Sequence, residues 1–180
     1  KTEKDLDDGS CPVNRTPAEI LNEPSYCFRL SAYREPLLQY LEQHPELILP
    51  DARRNKVIGD LREGLQDLSV SRAAFYWGVP VSGNDDHVMY VWLDALTNYI
   101  TAVGYPDTGT EKFEKYWPAI HMVGKDIVRF HAVYWPAFLM SAGVAPPKRV
   151  FAHGWWTNEG EKISKSLGNV IDPLQLVERY

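Results

Sequence analysis

The residues best suited to chemistry gather in the second half of the chain. A β-forming run from Arg149 leads into His153-Gly154-Trp155-Trp156, a turn at Asn158-Glu159-Gly160, and then Lys162-Ile163-Ser164-Lys165-Ser166. Two ammonium groups three residues apart, with a hydroxyl between them, suit a polyphosphate whose charge grows in a transition state. The same spacing suits a solvated Lys/Ser loop, and spacing alone does not choose. Upstream, Gly124-Lys125-Asp126 stands where an apolar strand, 119–123, gives way to a helix. Ligands of open α/β sheets bind at such strand ends, and a glycine there lets a backbone come close. Asp126 either accepts from ribose hydroxyls or caps the helix. Lys125 is not a P-loop lysine, because no glycine-rich loop precedes it.

Beyond that edge, Ile127, Phe130, His131, Tyr134 and Phe138 recur at helical steps and share one face. His131 is either a core histidine satisfied by a neighbour or a polar contact in an apolar pocket. Trp92 and Tyr99, seven residues apart, either wall the same cavity or simply pack. The chain shows no Ser-His-Asp arrangement for hydrolysis. Cys11-Pro12-Val13-Asn14 offers one thiolate followed by an amide, too little for structural zinc.

These residues need a scaffold, and the sequence supplies one of α/β character. Apolar spacing predicts a helix from Tyr33 to the His44-Pro45 break and another over 53–65. Leu68 to Ser71 reads as a short strand ending at Arg72. His87 to Trp92 reads as a buried strand, with Asp94 capping a helix that runs to about Val103 and stops at Gly104. A strand over 119–123, a continuous apolar helix over 125–141 and a strand over 149–153 follow. A last helix opens at Asp172-Pro173. Strand and helix alternating in this way predict a parallel sheet.

Composition agrees with a globular protein and narrows its class. The chain has 180 residues, 44% hydrophobic and 24% charged, with a net charge of −5. That balance disfavours a stand-alone nucleic-acid binder, which needs lysine and arginine against phosphates. Two cysteines are too few for a disulfide scaffold. The longest apolar run, 132–140, is too short to span a membrane, so no membrane partner is expected. Aromatic residues reach 12%, with Trp92, Trp117, Trp135, Trp155 and Trp156 all in the second half. The chain opens on turn-rich sequence with no methionine or secretory signal, and it reads as the middle of a longer protein.

Taken in order, these segments resemble one family. Lys162-Ile163-Ser164-Lys165-Ser166 resembles the KMSKS loop of class I aminoacyl-tRNA synthetases, with Ile163 in place of methionine. The runs Tyr90 to Tyr99 and Val123 to His131, continuing through Tyr134-Trp135-Pro136-Ala137-Phe138-Leu139, resemble the amino-acid pocket of the methionyl-tRNA synthetase family. Tyr26 to Tyr33 resembles the end of that family's connective-peptide insertion. The resemblance covers nearly the whole chain. It implies residues 1–34 as the end of that insertion and 35–180 as the second half of a Rossmann-like catalytic domain.

The resemblance also implies an activity: ATP-dependent conversion of methionine to methionyl-adenylate, then transfer to tRNA(Met). Trp92, Ala95, Tyr99, Ile127 and His131 would line the methionine pocket. Gly124, Asp126, His153, Gly154, Arg72 and Lys165 would hold ATP, supplied as its Mg2+ complex. Lys162 and Lys165 would be catalytic, with Lys165 the more important. The family's HIGH motif and anticodon-binding domain are expected outside this stretch, so the isolated piece is expected to be inactive. Where relatives carry a metal-ligating residue, this chain has Asn14, so zinc is not expected. The family implies a cytoplasmic enzyme, with a mitochondrial form of the same style. The alternatives are a sister class I synthetase for another apolar amino acid, and a non-catalytic synthetase-like tRNA-binding module. The remaining tryptophans, Trp117, Trp135, Trp155 and Trp156, are assigned to packing.

Overall fold

A computed structural model of the chain describes residues 10, 17, 23–74, 76–158, 160–163 and 168–179. The strands are β1 Cys27–Phe28, β2 Ile48–Leu49, β3 Leu68–Ser69, β4 Ser71–Arg72, β5 Pro80–Val81, β6 Asn84–Met89, β7 Ile120–Gly124, β8 Arg149–His153, β9 Thr157–Asn158 and β10 Glu161–Lys162. The helices are α1 Arg34–Gln43, α2 Asp51–Glu63, α3 Val91–Thr101, α4 Glu111–Tyr116, α5 Trp135–Ser141 and α6 Pro173–Arg179.

The scaffold of the site is a parallel sheet in the order β2-β8-β7. Ile48 pairs with Val150, Val123 with Ala152, and Gly124 with His153 at the carboxyl ends of β7 and β8. Alternation along the strands points His121, Val123, Val150 and Ala152 inward. There Val123, Val150 and Ala152 meet Leu37 and Leu41 of α1 and Val57 and Leu61 of α2. The two helices are tied together by Arg34, whose Nε donates to the Leu61 carbonyl at 2.9 Å. The opposite side of the same strands shows Ile120 (52% exposed), Met122 (66%) and Phe151 (37%) to solvent. The parallel sheet and its flanking helices agree with a Rossmann-like α/β class.

A second apolar cluster packs α3 against α5, with Leu96, Ile100, Trp117, Trp135, Phe138 and Leu139 at its centre. Trp117 and Trp135 are therefore packing residues, as their burial at 5% and 2% exposure requires. Trp155 and Trp156 are not: they stand 45% and 75% exposed.

The structure corrects three expectations about elements. First, β6 ends at Met89, and Trp92 is helical: α3 begins at Val91 behind Tyr90, so Asp94 lies in its first turn and caps nothing. Leu96 and Ile100 bury one face of this segment, and that burial overrides the β preference of Tyr90-Val91-Trp92. Second, β6 joins β4 and β5 in a separate antiparallel sheet; the third parallel strand is the short β2. Third, the helix expected over 125–141 is interrupted. A 3-10 turn at Lys125–Ile127 and a wide π turn at Phe130–Tyr134 precede α5. Pro136 cannot donate back to Ala132, and the chain widens before it and restarts a regular helix with proline in the first turn.

Candidate functional site

The carboxyl edge of β7 and β8 holds the first group. Gly124 and His153 are neighbours there across the parallel ladder. A Cβ on Gly124 would lie 2.7 Å from Asp126 Oδ1 and would displace that carboxylate, whereas the backbone angles, φ −67° and ψ 149°, are open to any residue. The cap position of the following 3-10 turn belongs to Gly124, which has no side chain, and Asp126 lies inside the turn, exposed. Of the two readings of Asp126, a helix cap is thereby removed. His153 Nδ1 donates to the Gly154 carbonyl at 2.6 Å, which turns the ring where the chain leaves the strand. Lys125 and Asp126 also line a groove of about 260 Å³ with Arg53, Lys56 and Arg129, so a ligand can reach both.

The second group is aromatic and continues directly from the first. Trp92 on α3 stacks on Phe130 with centroids 3.8 Å apart and planes at 16°. The edge of Trp92 faces His131 at 6.2 Å, and Tyr99 faces the same imidazole at 5.7 Å. Tyr99 Oη and His131 Nε2 are 2.9 Å apart. His131 itself is buried, which lowers its pKa, although the Ile127 carbonyl opposes that by bonding the ring. Trp92 and Ile127 are half-buried, while Ala95 and Tyr99 are exposed on α3. The rings of Trp92, Phe130, His131 and Tyr99 therefore come together, while Ile127 meets them through its carbonyl, which bonds the His131 ring, and packs its side chain against the α1–α2 core.

The third group is cationic. Lys162 on β10 places Nζ 3.8 Å from the centroid of the Trp155 ring, and Lys125 places Nζ 4.0 Å from it. Asn169 Nδ2 donates to the Lys162 carbonyl at 3.1 Å, joining the two sides of the loop. Lys165 lies outside the described residues. Arg72 is not brought to this edge. Its guanidinium donates to Ser69 Oγ at 2.7 Å and the Ser71 carbonyl at 2.6 Å, and sits 4.3 Å from the centre of the Tyr90 ring.

Two residues carry more than the sequence suggested. His121 is 5% exposed, packs against Tyr99 with ring centres 4.3 Å apart, and its Nε2 has no hydrogen-bond partner among the described residues. Its inward place on a strand of otherwise apolar inward residues was the available signal. Trp155 collects two lysines, and the signal was an aromatic residue between a strand end and a lysine-bearing loop. Among the described residues no cluster of three His, Cys, Asp or Glu could hold a metal ion. Cys11 and Asn14 lie outside the described residues. No helix among the described residues is long and apolar enough to cross a membrane.

Comparison with known proteins places this arrangement. A family model described as tRNA synthetases class I (M) matches residues 1–180. A methionine--tRNA ligase of Mesorhizobium japonicum is 62% identical over 165 residues, covering 92% of this chain and 32% of that protein. One from Caldanaerobacter subterraneus is 56% identical over 180 residues, covering 99% of this chain and 28% of its own length. The chain thus spans about a third of the curated relatives it matches. A crystal structure of Mycobacterium tuberculosis methionyl-tRNA synthetase bound by methionyl-adenylate superposes with a TM-score of 0.87 at 55% identity, covering 94% of this chain and 34% of that one. The family match runs from the first residue to the last and takes in the strand edge, the aromatic group and the lysine loop: the chain belongs to the class I tRNA synthetases of the methionine type.

Proposed function

We propose that this chain supplies the second half of the catalytic core of an enzyme that activates L-methionine with ATP and transfers it to tRNA(Met). The observation that carries the reading is the continuity of Gly124 to His131. This single stretch leaves the parallel strand edge, passes the exposed Asp126 carboxylate and enters the aromatic group of Trp92, Tyr99 and His131. A nucleotide at the edge and a side chain in the aromatic pocket are thereby held next to each other, as the reaction demands.

In the proposed reaction no protein nucleophile is needed. A carboxylate oxygen of methionine attacks the α-phosphorus of ATP–Mg2+, the bond to the bridging oxygen breaks, and pyrophosphate leaves with those electrons. Asp126 accepts from the ribose hydroxyls, with Gly124, His153 and Gly154 giving the nucleotide a close backbone approach. Lys162 and Lys165 neutralise charge as it shifts onto pyrophosphate. Arg72 would act on the nucleotide only after leaving its present partners. The methionine thioether is soft and polarizable, and it suits the rings of Trp92, Tyr99 and His131 beside Ala95 and Ile127. A neutral His131 puts no charge against it.

In the same reading, residues 1–34 end the connective-peptide insertion and 35–180 belong to the Rossmann-like core. The HIGH-bearing half, the anticodon-binding domain and tRNA(Met) are its partners, and the cytoplasm is its compartment. Zinc has no part in this segment. The test is ATP–pyrophosphate exchange by the full-length enzyme with methionine, leucine, isoleucine, valine and cysteine in turn. Exchange driven by methionine is expected. Exchange driven better by another amino acid overturns the substrate, and tRNA binding without any exchange assigns the chain to a non-catalytic module. The isolated 180-residue piece is expected to give none.

A further inference from the structure

Two lysines from different parts of the chain meet at one exposed ring. Lys125 follows β7 and Lys162 lies on β10, yet both ammonium groups sit within 4.0 Å of the Trp155 centroid. Trp155 belongs to neither apolar cluster and keeps 45% of its surface in water, so core packing does not account for its size. Among the described residues neither lysine has an ion-pair partner, although Lys125 adjoins Asp126. The faces of an indole are negative and attract cations, and this one ring holds both ammonium groups close to it despite their mutual repulsion. An ammonium has three donors, and contact with a ring leaves some of them free for oxygen acceptors.

We propose that Trp155 is a positioning residue whose ring gathers Lys125 and Lys162 in advance for a single polyphosphate. The proposal rests on the ATP reading above and extends it to two residues, Lys125 and Trp155, that carry no role there. A free lysine side chain loses much rotamer freedom when it binds a phosphate. Here that freedom is already restricted before the nucleotide arrives, so less affinity is lost on binding. The ring stays in contact with both ammonium groups while the phosphates approach their free donors. The ligand class follows from the charge: two clustered cations fit an anion of two or more negative charges, which the β- and γ-phosphates and free pyrophosphate both offer.

The test uses the full-length enzyme and ATP–pyrophosphate exchange. Trp155→Leu removes the π face and keeps an apolar side chain at an exposed position. It is expected to raise the KM for ATP and for pyrophosphate by about fivefold to tenfold, since two lysines are each released from an exposed cation–ring attraction. The KM for methionine and the melting temperature stay unchanged. Trp155→Phe retains a π face and is expected to restore most of the loss. Lys125→Met is expected to shift the KM for ATP in the same direction, and the double variant Lys125→Met/Trp155→Leu to lose less than the two single losses combined. Leu and Phe variants of equal behaviour, an unchanged KM for ATP, additive losses, or a methionine KM that moves in step would each overturn the proposal. Wild-type enzyme that gives no exchange with any amino acid would instead overturn the ATP reading itself.

Discussion

Tyr99 Oη and His131 Nε2 stand 2.9 Å apart, and the other nitrogen of that imidazole, Nδ1, stands 2.9 Å from the Ile127 carbonyl oxygen. A carbonyl only accepts, so Nδ1 carries the ring proton and Nε2 receives the proton of the tyrosine hydroxyl. Burial lowers the pKa of His131 and raises that of Tyr99, which keeps both groups neutral in this arrangement. The aromatic pocket is thus polar in its bonding and uncharged toward a ligand.

Tyr99→Phe keeps the ring and leaves Nε2 of His131 without a donor. An unpaired buried acceptor costs about 1–3 kcal/mol, which the His131 ring escapes by turning out of its place in the pocket, so the KM for methionine is expected to rise about tenfold. The KM for ATP should hold in the same exchange assay. Equal shifts in the two constants would assign the tyrosine to general integrity of the site.

His121 predicts a pH dependence. Burial, with repulsion from His131 second, pushes its pKa down to about 4 from 6.5. Tyr99, Trp117 and His131 surround the ring, and among the described residues Nε2 has no partner to hold a proton. Between these two values the unfolded chain binds a proton that the folded chain rejects. Stability is therefore complete above pH 6.5 and lost as pH falls toward 4, by about 3 kcal/mol at most. Denaturant midpoints should climb across that window, and His121→Phe should flatten the climb to what His131, shifted the same way, contributes. An unaltered slope in the variant would remove His121 from the account.

Gly124→Ala places a methyl group 2.7 Å from Asp126 Oδ1, and the carboxylate must turn away. The backbone at Gly124 is in an ordinary region, so stability should change by less than about 1 kcal/mol. The expected result is a raised KM for ATP at an unchanged melting temperature. A large drop in melting temperature with normal ATP binding would mean that the glycine serves packing and not the nucleotide.

Lys165→Ala in the full-length enzyme should lower the rate of activation by about 100-fold, the scale of one missing donor at a developing charge. Methionine affinity, measured by the quench of tryptophan fluorescence, should stay near that of the unaltered enzyme. A selective loss of methionine binding would reverse the role given to this lysine.

The parts legible in the sequence were those with a full period of signal. The helices at Arg34–Gln43 and Asp51–Glu63 and the strands at Ile120–Gly124 and Arg149–His153 lie within a few residues of their predicted places. The helices repeat apolar residues at three- and four-residue steps, the strands concentrate them, and proline or glycine stands near the ends of each. The short strand Ile48–Leu49 has no period to read in two residues, and it sits between a proline break and a helix start. The segment Tyr90-Val91-Trp92 carries strand formers that helix burial overrules. The pocket was legible through the family resemblance of the runs Tyr90 to Tyr99 and Val123 to His131, since the residues alone left Trp92, Tyr99 and His131 open between pocket and packing. Trp155 was not, because its place before a lysine-bearing loop does not distinguish an indole touched by two ammonium groups from an indole in a core.

Ile120, Met122 and Phe151 leave one side of the parallel sheet wet, while α1 and α2 cover the other. Parallel strands are stable when clothed on both sides. Any layer over those three residues would run across the same strands whose tips present Gly124 and His153. A surface laid over those three side chains would therefore also border the strand tips, so burial of this apolar face and enclosure of the cleft would be coupled.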